Sequence, residues 1–209
     1  MKSLQSMKQR LAGWKAERET YSGQDLRSGF LANSSFRDCT FLNCQLDLAS
    51  FNSAVLENCD FLSCEGRLSN FVMVKFRGCR FEKCDLEQAL FAGATLDGVV
   101  FQQCRLAYST FEKASGVLLT FKECNLHGAD LRFYRAPSVD YQGSNLWSAS
   151  VQLGCTFFNG TFDQRSMRLF LGMLARLWQD GDEKTILSKI AGTELAVVER
   201  LMRDEDGEK

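Results

Sequence analysis

A four-sided β-helix, in which the chain turns inward every five residues, is the fold that this 209-residue sequence predicts. From Tyr21 to Val151 every fifth residue is apolar or aromatic apart from Gly66 and Gly116. Neither an α-helix nor a plain β-strand has a period of five. Two residues before most of these centres stands a small residue, and the remaining positions are mostly polar. A fixed internal period is typical of solenoids.

A second period, of 20 residues, indicates that four pentads complete one coil. Residues 20 apart would stack on one wall, and the sequence sorts them by type. One ladder is aromatic, one is leucine interrupted by Gly66, and one is mostly phenylalanine: Tyr21, Phe41, Phe61, Phe81, Phe101, Phe121 and Tyr141; Leu26, Leu46, Leu86, Leu106, Leu126 and Leu146; Leu31, Phe51, Phe71, Phe91, Phe111, Leu131 and Val151. Residues 21–155 predict about seven coils, stacked about 4.8 Å apart.

Eight of the nine cysteines occupy the small inward position, and only Cys155 does not. They form two rows, Cys44, Cys64, Cys84, Cys104 and Cys124 on one wall and Cys39, Cys59 and Cys79 on another. Parallel thiols do not converge on one point, as zinc ligands must. We therefore expect core thiols, with no metal and no cofactor. The predicted structural core consists of Phe41, Phe61, Phe81, Phe101 and Phe121 with the five cysteines from Cys44 to Cys124.

The pentads resemble those of the pentapeptide-repeat family, whose unit has a central Leu or Phe and a small residue two positions before it. Residues 79–83 (Cys-Arg-Phe-Glu-Lys) and 129–133 (Ala-Asp-Leu-Arg-Phe) match this unit. The resemblance covers residues 21–160 and implies a right-handed quadrilateral β-helix. In repeat style the chain resembles the Qnr, McbG, AlbG and MfpA group, which implies binding to DNA gyrase or topoisomerase IV. Such proteins often dimerise through a C-terminal element.

The N-terminal segment, residues 1–20, is expected to hold an amphipathic helix over residues 3–18. Leu4, Met7, Leu11 and Trp14 share one face, and basic groups lie elsewhere. Such a helix would cap the first coil, or it would attach the protein to a membrane surface or an anionic partner. The sequence has no apolar stretch long enough for a membrane span. We expect a cytoplasmic protein, with a secreted effector as the alternative, and the resemblance suggests a bacterial source.

In the C-terminal segment, residues 161–209, the period becomes helical. Three predicted helices would cap the last coil or pair with a second copy to form a homodimer. The candidate interaction surface is Trp14, Phe170, Leu174, Leu177, Trp178, Leu195, Val198 and Leu201. Residues 183–202 have a faint helix-turn-helix pattern, but the second helix carries Glu194 and Glu199. This charge disfavours direct nucleic-acid binding.

Two irregularities interrupt the repeat. Gly116 stands at a centre and is followed by Val117, Leu118 and Leu119, which predicts either an altered core or an exposed contact loop. Around residues 133–140 large side chains stand at small-residue positions and small ones at large-residue positions, and the segment contains Pro137. This predicts a kinked coil or a protruding loop.

No catalytic constellation is recognisable, and an enzyme is not expected. His127 is the only histidine, and its pentad position faces outward. Residues 21–160 contain 14 Asp and Glu and 12 Lys and Arg, a net charge of −2, which is weak for a protein that mimics DNA. Alternating charges at Arg37, Glu57, Arg77 and Asp97 on one wall predict ion pairs between coils.

Three functions are compatible with these features. The first is a non-enzymatic scaffold that binds another protein through its walls or its C-terminal helices. The second is a gyrase-binding protein of the DNA-mimic type that confers drug or toxin resistance or self-immunity. The third is a membrane-surface adaptor that uses the basic N-terminal helix. The charge count argues against mimicry, and the resemblance argues for it.

Overall fold

The computed structural model describes residues 12–131, 139–141, 143–146 and 148–150, and these residues form a parallel β-solenoid without a helix. Its strands are short because the chain turns a corner every five residues. In chain order they are β1 (Lys15–Glu17), β2 (Thr20–Ser22), β3 (Ser35–Arg37), β4 (Thr40–Leu42), β5 (Val55–Glu57), β6 (Asp60–Leu62), β7 (Lys75–Arg77), β8 (Arg80–Glu82), β9 (Thr95–Asp97), β10 (Val100–Gln102), β11 (Leu119–Lys122) and β12 (Val139–Asp140).

The solenoid has four walls, which the chain visits in turn. Wall A is a parallel sheet of the seven strands β2, β4, β6, β8, β10, β11 and β12, and wall D is a parallel sheet of the five strands β1, β3, β5, β7 and β9. Walls B and C are centred on Leu46 and Phe51 and their equivalents. Within each of these walls, single bridges join neighbouring coils, as Asp25 to Gln45 does on wall B and Phe30 to Ser50 on wall C. Partners lie 20 residues apart on all four walls, which confirms the predicted β-helix.

The described residues complete about six turns, against the seven that the sequence predicts, and residues 151–209 lie outside them. Each corner falls two residues after a centre, where the backbone is left-handed. Asn43 has a φ of 51° and Asn58 a φ of 52°. Asparagine tolerates this region better than most L-residues do. On wall B the amide of Ala49 donates to the Leu46 carbonyl (2.9 Å), which with the positive φ of Leu48 makes a type II turn.

The first coil begins earlier than the sequence analysis expects. Lys15–Glu17 is strand β1, and Ala16 lies opposite Phe36 on β3. The predicted helix over residues 3–18 is therefore wrong for its described part, residues 12–18, because β1 pairs with the next coil and Ala16 continues the five-residue series by one step. The rest of that helix, residues 3–11, lies outside the described residues. The predicted helices within 161–209 also lie outside them.

At Gly116 the main chains of two neighbouring coils approach each other closely. A Cβ on this residue would overlap the backbone carbonyl of Leu96, so the close approach of the two main chains leaves no room for a side chain here. Leu119 is buried in β11, whereas Val117 and Leu118 are exposed. The predicted altered core therefore applies to Gly116 and Leu119, whereas a contact role for the exposed Val117 and Leu118 stays a prediction. In the second irregular segment, residues 133–140, Val139 and Asp140 form β12. Residues 133–138 lie outside the described residues.

Candidate interaction surface

Aromatic rings fill the interior in two stacks. On wall A the rings of Phe41 and Phe61 are 4.7 Å apart and 5° from parallel. The two stacks meet edge to face, as Phe41 and Phe51 do at 6.3 Å and 88°. Offset stacks and edge-to-face contacts are the favoured arrangements of aromatic pairs. The buried members of the wall A stack include Phe41, Phe61, Phe81, Phe101 and Phe121. The interior is therefore occupied by packing, and a functional site has to lie on the outer walls.

The row of five thiols is buried beside these rings: Cys44, Cys64, Cys84, Cys104 and Cys124. Each thiol donates to a backbone carbonyl of the preceding coil, as Cys84 does to Phe61 at 3.2 Å. Hydrogen bonding with the Cys104 thiol, together with burial, raises the pKa of Cys84 to about 12. Reactive cysteines have lowered pKa values, so this row has the properties of core side chains. Within the described residues, no cluster of three metal-ligating side chains occurs.

Charges on wall D are paired between coils. The Glu57 carboxylate lies between the guanidinium groups of Arg37, at 2.9 Å, and Arg77, at 3.0 Å. Hydrogen bonds from Arg37 and Arg77 hold the pKa of the Glu57 carboxyl below its ordinary value. Wall D therefore presents alternating charge along the rod.

Wall B carries five acidic and three basic side chains in the described part of the chain. Its carboxylates and guanidinium groups are those of Asp25, Asp47, Glu65, Asp85, Glu87, Arg27, Arg67 and Arg105. Arg27 lies 2.9 Å from Asp25, and Arg105 lies 3.3 Å from Asp85. Duplex DNA presents unbroken rows of phosphates. Wall B differs from such a row because its carboxylates alternate with arginines that pair with them.

His127 also lies on wall B, where it contacts a tyrosine of the preceding coil. Its Nε2 is 3.0 Å from the Tyr108 hydroxyl, and the two rings meet nearly at right angles. Gly128 leaves room for this arrangement, because a Cβ there would lie 2.6 Å from the Tyr108 ring. The histidine and the glycine thus hold Tyr108 flat along the corner between walls B and C.

Exposed apolar side chains gather on one side of the rod, on wall C and on its corner with wall B. We call these six residues the apolar strip: Phe30, Leu48, Leu68, Met73, Leu90 and Tyr108. Their exposed fractions run from 38% for Leu90 to 58% for Met73. Phe30 and Leu90 lie on wall C, Leu48, Leu68 and Tyr108 at its corner with wall B, and Met73 at its far corner. Among large apolar side chains of the described residues, only Val117 and Leu118 are similarly exposed elsewhere.

Wall C is also free of charge over four coils. Its outward positions from Phe30 to Gly93 hold only apolar, amide, hydroxyl and glycine residues. Val72 and Ala92 are half-buried at equivalent outward positions of this wall. Met73 folds over the next coil, since a Cβ on Gly93 would lie 2.8 Å from its sulfur. The strip is thus bordered on wall C by uncharged groups, whereas walls A, B and D carry charges on these coils.

The backbone gives no reason for apolar residues at the corners of the strip. Leu48, Leu68, Met73 and Tyr108 have φ values of 57–60°, where glycine and asparagine are more favourable. About half of each of these side chains is exposed, so folding buries only part of their apolar surface. The fold requires a left-handed backbone at each of these corners but not a large apolar side chain, so the presence of such side chains is an indication of function.

The sequence analysis missed the apolar strip because its residues lie in slots that are polar in most pentads. A signal was present, since Leu48 and Leu68 are 20 residues apart at the same corner position. Of the predicted surface residues, Trp14 is half-buried, with its ring 5.8 Å from that of Tyr21 and 6.1 Å from that of Phe36. It packs on the end of the core. The others lie outside the described residues: Phe170, Leu174, Leu177, Trp178, Leu195, Val198 and Leu201.

A bilayer-spanning helix is not found in the part of the chain that the structure describes. No curated protein matches the sequence. Among solved structures, a trypsin-treated form of QnrB1, a plasmid-mediated fluoroquinolone resistance protein, is 19% identical, with 80% of this chain and 92% of that chain covered and a TM-score of 0.37. HetL, a pentapeptide repeat protein involved in heterocyst differentiation regulation in the cyanobacterium Nostoc sp. strain PCC 7120, is 15% identical, with coverage of 66% and 84% and a TM-score of 0.21.

Comparison with protein families agrees with the geometry. Residues 20–91 match the family described as a pentapeptide repeat region, and residues 84–115 match the one described as pentapeptide repeats in eight copies. The matched residues are those whose pentads build the four walls, with one inward centre every five residues and one coil every 20. Residues 20–115 of this chain therefore consist of repeats of the pentapeptide-repeat family, and its described residues form a β-solenoid.

Proposed function

We propose that this protein is a non-catalytic scaffold that binds another protein through the apolar strip. The single observation that carries the proposal is the concentration of exposed apolar side chains, Phe30 to Tyr108, on wall C and its corners, where the outward positions of wall C lack charge over four coils. Contiguous exposed apolar surface on a soluble protein marks interaction sites more often than it occurs by chance. The rigid coils would hold these side chains in place before binding.

The partner would be a protein that offers a complementary apolar face. Burial of apolar surface contributes about 25 cal/mol per Å², so a few well-covered side chains supply most of the binding free energy. Because the solenoid is already ordered, little conformational entropy is lost on its side of the interface. Leu68 and Met73 lie near the middle of the strip and should contribute most.

The proposal is tested by comparing capture from cells of the source organism on four immobilised proteins, the wild type and three variants. Met73→Lys and Leu68→Lys should each lose a protein that the wild type retains. Ser63→Lys is the matched control, because Ser63 occupies the same left-handed corner position on the opposite wall A of the same coil as Met73. Equal capture by all four proteins would refute binding through the strip.

Topoisomerase binding is the second candidate, and it would use wall B. The observation in its favour is that each of the first four coils places at least one carboxylate there, on Asp25, Asp47, Glu65, Asp85 and Glu87, with neighbouring coils about 4.8 Å apart. The arginines that pair with these carboxylates argue against this candidate. Topoisomerase binding is tested by measuring DNA supercoiling by gyrase, with and without a fluoroquinolone, while this protein is titrated in. Inhibition or drug protection that is lost in Asp47→Lys would support this candidate, and no effect above equimolar protein would end it.

A further inference from the structure

Wall C presents no open strand edge over the described coils that carry the apolar strip. The amide of Ser50 donates to the Gly29 carbonyl of the preceding coil at 2.8 Å, and the amide of Phe51 donates to the Asn70 carbonyl of the following coil at 2.8 Å. Strand addition needs a row of unpaired amides and carbonyls. A partner of wall C is therefore held by its side chains, and an α-helix, which pairs its own backbone groups, suits such a surface.

The middle of wall C lies lower than its corners. The outward residues of the middle are half-buried in two successive coils: Ser50, Asn52, Asn70 and Val72. The Asn70 carboxamide oxygen accepts the Val72 amide at 2.9 Å, which holds the asparagine side chain against the wall. At the corners, about half of each side chain of Leu48, Leu68 and Met73 is exposed. A shallow channel with apolar borders therefore runs parallel to the rod axis.

The dimensions of this channel match one α-helix. Facing sheets pack about 10 Å apart, so each wall of the rod is about one helix diameter wide. The strip runs over the four coil steps from Phe30 to Tyr108, about 19 Å, which corresponds to about 13 helical residues. A helical turn rises about 5.4 Å and a coil about 4.8 Å, so successive turns stay close to successive coils over this length.

One carboxylate without an ion pair borders the strip on wall B. In the row of wall B nearest the strip, Arg27 pairs with Asp25 at 2.9 Å. In the same row, Arg67 pairs with Glu87 at 3.3 Å. The Asp47 carboxylate accepts the backbone amide of Arg67 at 2.8 Å, but no cation of the described residues forms an ion pair with it. Its negative charge is therefore available to a partner.

One ammonium group without an ion pair borders the strip on the other side. Alongside the strip, the nearest outward row of wall D consists of Ser35, Val55, Lys75 and Thr95. The Lys75 side chain is exposed just beyond Met73, and it forms no ion pair within the part of the chain that the structure describes. Asp47 and Lys75 are less than one and a half coils apart, about 7 Å along the rod. The strip thus lies between two uncompensated charges of opposite sign.

We infer that the partner of the apolar strip presents an amphipathic α-helix of about 13 residues, laid along wall C with a cation toward Asp47 and an anion toward Lys75. Residues five or six apart on a helix point to opposite flanks and lie about 7.5–9 Å apart along its axis, which suits the offset of the two charges. The inference rests on the proposed function, because it specifies the chemistry of the partner that the strip binds.

Three synthetic peptides of identical composition test the inference on the full-length protein. Each has about 15 residues, capped ends, a stripe of leucines and a hydrocarbon staple on the outer face, because short helices are marginal in water. In two of them a lysine and a glutamate lie on opposite flanks, five or six residues apart, and in the third both lie on the outer face. Fluorescence anisotropy at an ionic strength of about 50 mM measures binding. One of the first two should bind about fourfold more tightly than the third, since each exposed ion pair contributes about a factor of two.

Variants of the protein assign this preference to the two charges. Asp47→Asn keeps an acceptor for the Arg67 amide, and Lys75→Gln keeps a long side chain. Each should reduce the preference about twofold, and the two changes together, or about 1 M salt, should remove it. Met73→Lys should weaken all three peptides at least tenfold, whereas Ser63→Lys, on the opposite wall A, should leave them unchanged. Thermal unfolding verifies that each variant is folded.

The results separate this inference from the proposed function. Equal binding of the three peptides, or a preference that persists when Asp47 and Lys75 are both neutral, would overturn the inference. Sedimentation of the free protein as a dimer that Leu68→Lys dissociates would overturn it as well, because it would assign the strip to a second copy. Absence of peptide binding together with strip-dependent capture from cells would overturn the helix alone and leave the proposed function in place. The expected peptide preference without strip-dependent capture would support the helix-binding surface and refute the proposed function.

Discussion

The rings of Phe41 and Phe61 are stacked 4.7 Å apart and 5° from parallel, although 20 residues separate them. Their strands pair in register, so the ring distance is nearly the distance between neighbouring coils. Each ring therefore has an aromatic neighbour above and below, together with edge-to-face contacts from wall C. The stability of each coil depends on the coils on both sides of it.

Phe61→Ala should be among the most damaging single changes in the coils. Its ring is completely buried between those of Phe41 and Phe81, and the cavity would be lined by neighbours that cannot collapse. We expect a loss of about 3–5 kcal/mol in the free energy of unfolding, measured by urea denaturation. Leu62→Ala, at the adjacent half-buried outward position, is the control and should cost less than about 1 kcal/mol. Similar losses for both variants would contradict the packing described for wall A.

Gly116→Ala should destabilise the protein even though it brings the pentad closer to the family pattern. The added Cβ would overlap the main-chain carbonyl of Leu96, which cannot move aside as a side chain can. We expect a cost of about 1–3 kcal/mol in the free energy of unfolding. At Gly66 a Cβ would lie 3.0 Å from a Leu86 methyl group, so Gly66→Ala should cost less. The reverse order in thermal unfolding would show that the coil at Gly116 is wider than described.

The buried thiols should be unreactive in the native protein. With its pKa raised to about 12, Cys84 is a thiolate in about one molecule in ten thousand at pH 8. In a Cys155→Ser background, a thiol reagent should label none of the other cysteines within minutes and all of them in denaturant. Rapid labelling of the native protein at pH 8 would disprove the burial of this row.

The same thiols predict a loss of stability in alkali. The pKa of Cys84 is raised on folding from its ordinary value of 9.0 to about 12, so the folded state keeps the proton longer than the unfolded state does. Its contribution to stability is fully present below about pH 9 and decreases as the pH rises toward about 12. Urea midpoints measured from pH 8 to pH 11 should fall, and Cys84→Ala should show a weaker decline than the wild type.

The carboxyl group of Glu57 should titrate below its ordinary range. Hydrogen bonds from Arg37 and Arg77 hold its pKa down, so its contribution to stability is present above pH 4.5 and decreases as the pH falls below that value. Side-chain NMR gives this pKa directly, and Arg37→Gln should raise it toward the ordinary value. Ser35→Ala, a neutral change on the same wall, should leave it in place. An unchanged pKa in Arg37→Gln would mean that the pairing does not persist in solution.

Much of the fold could be predicted from the sequence because the inward residues recur at a fixed spacing. Coils pair residue by residue, so a 20-residue period in the sequence becomes the register of the sheets. The separation of phenylalanine from leucine by wall predicted which rings would stack. The helix predicted over β1 failed because the apolar spacing of Leu11 and Trp14 suits a helix as well, and because no partner strand is visible in a linear sequence.

The interaction surface depended on the tertiary structure. Leu48, Leu68 and Met73 occupy slots where exposure is set by how far the corner projects and by what the next coil places above it. Gly93 and Gly128 matter for the same reason, since they let Met73 and Tyr108 lie along the rod. Likewise, Arg27 pairs with Asp25 of its own coil, which an alternation rule between coils does not foresee.

The sequence alone thus determined the solenoid, its four walls, its register and the identity of its core, because backbone hydrogen bonding between equivalent residues leaves one way to stack identical pentads. The tertiary structure decided which outward side chains form a continuous surface, how the charges pair, and why Gly116 cannot carry a side chain. These properties depend on distances between atoms of different coils, and a period in the sequence specifies which residues are neighbours but not how closely they approach.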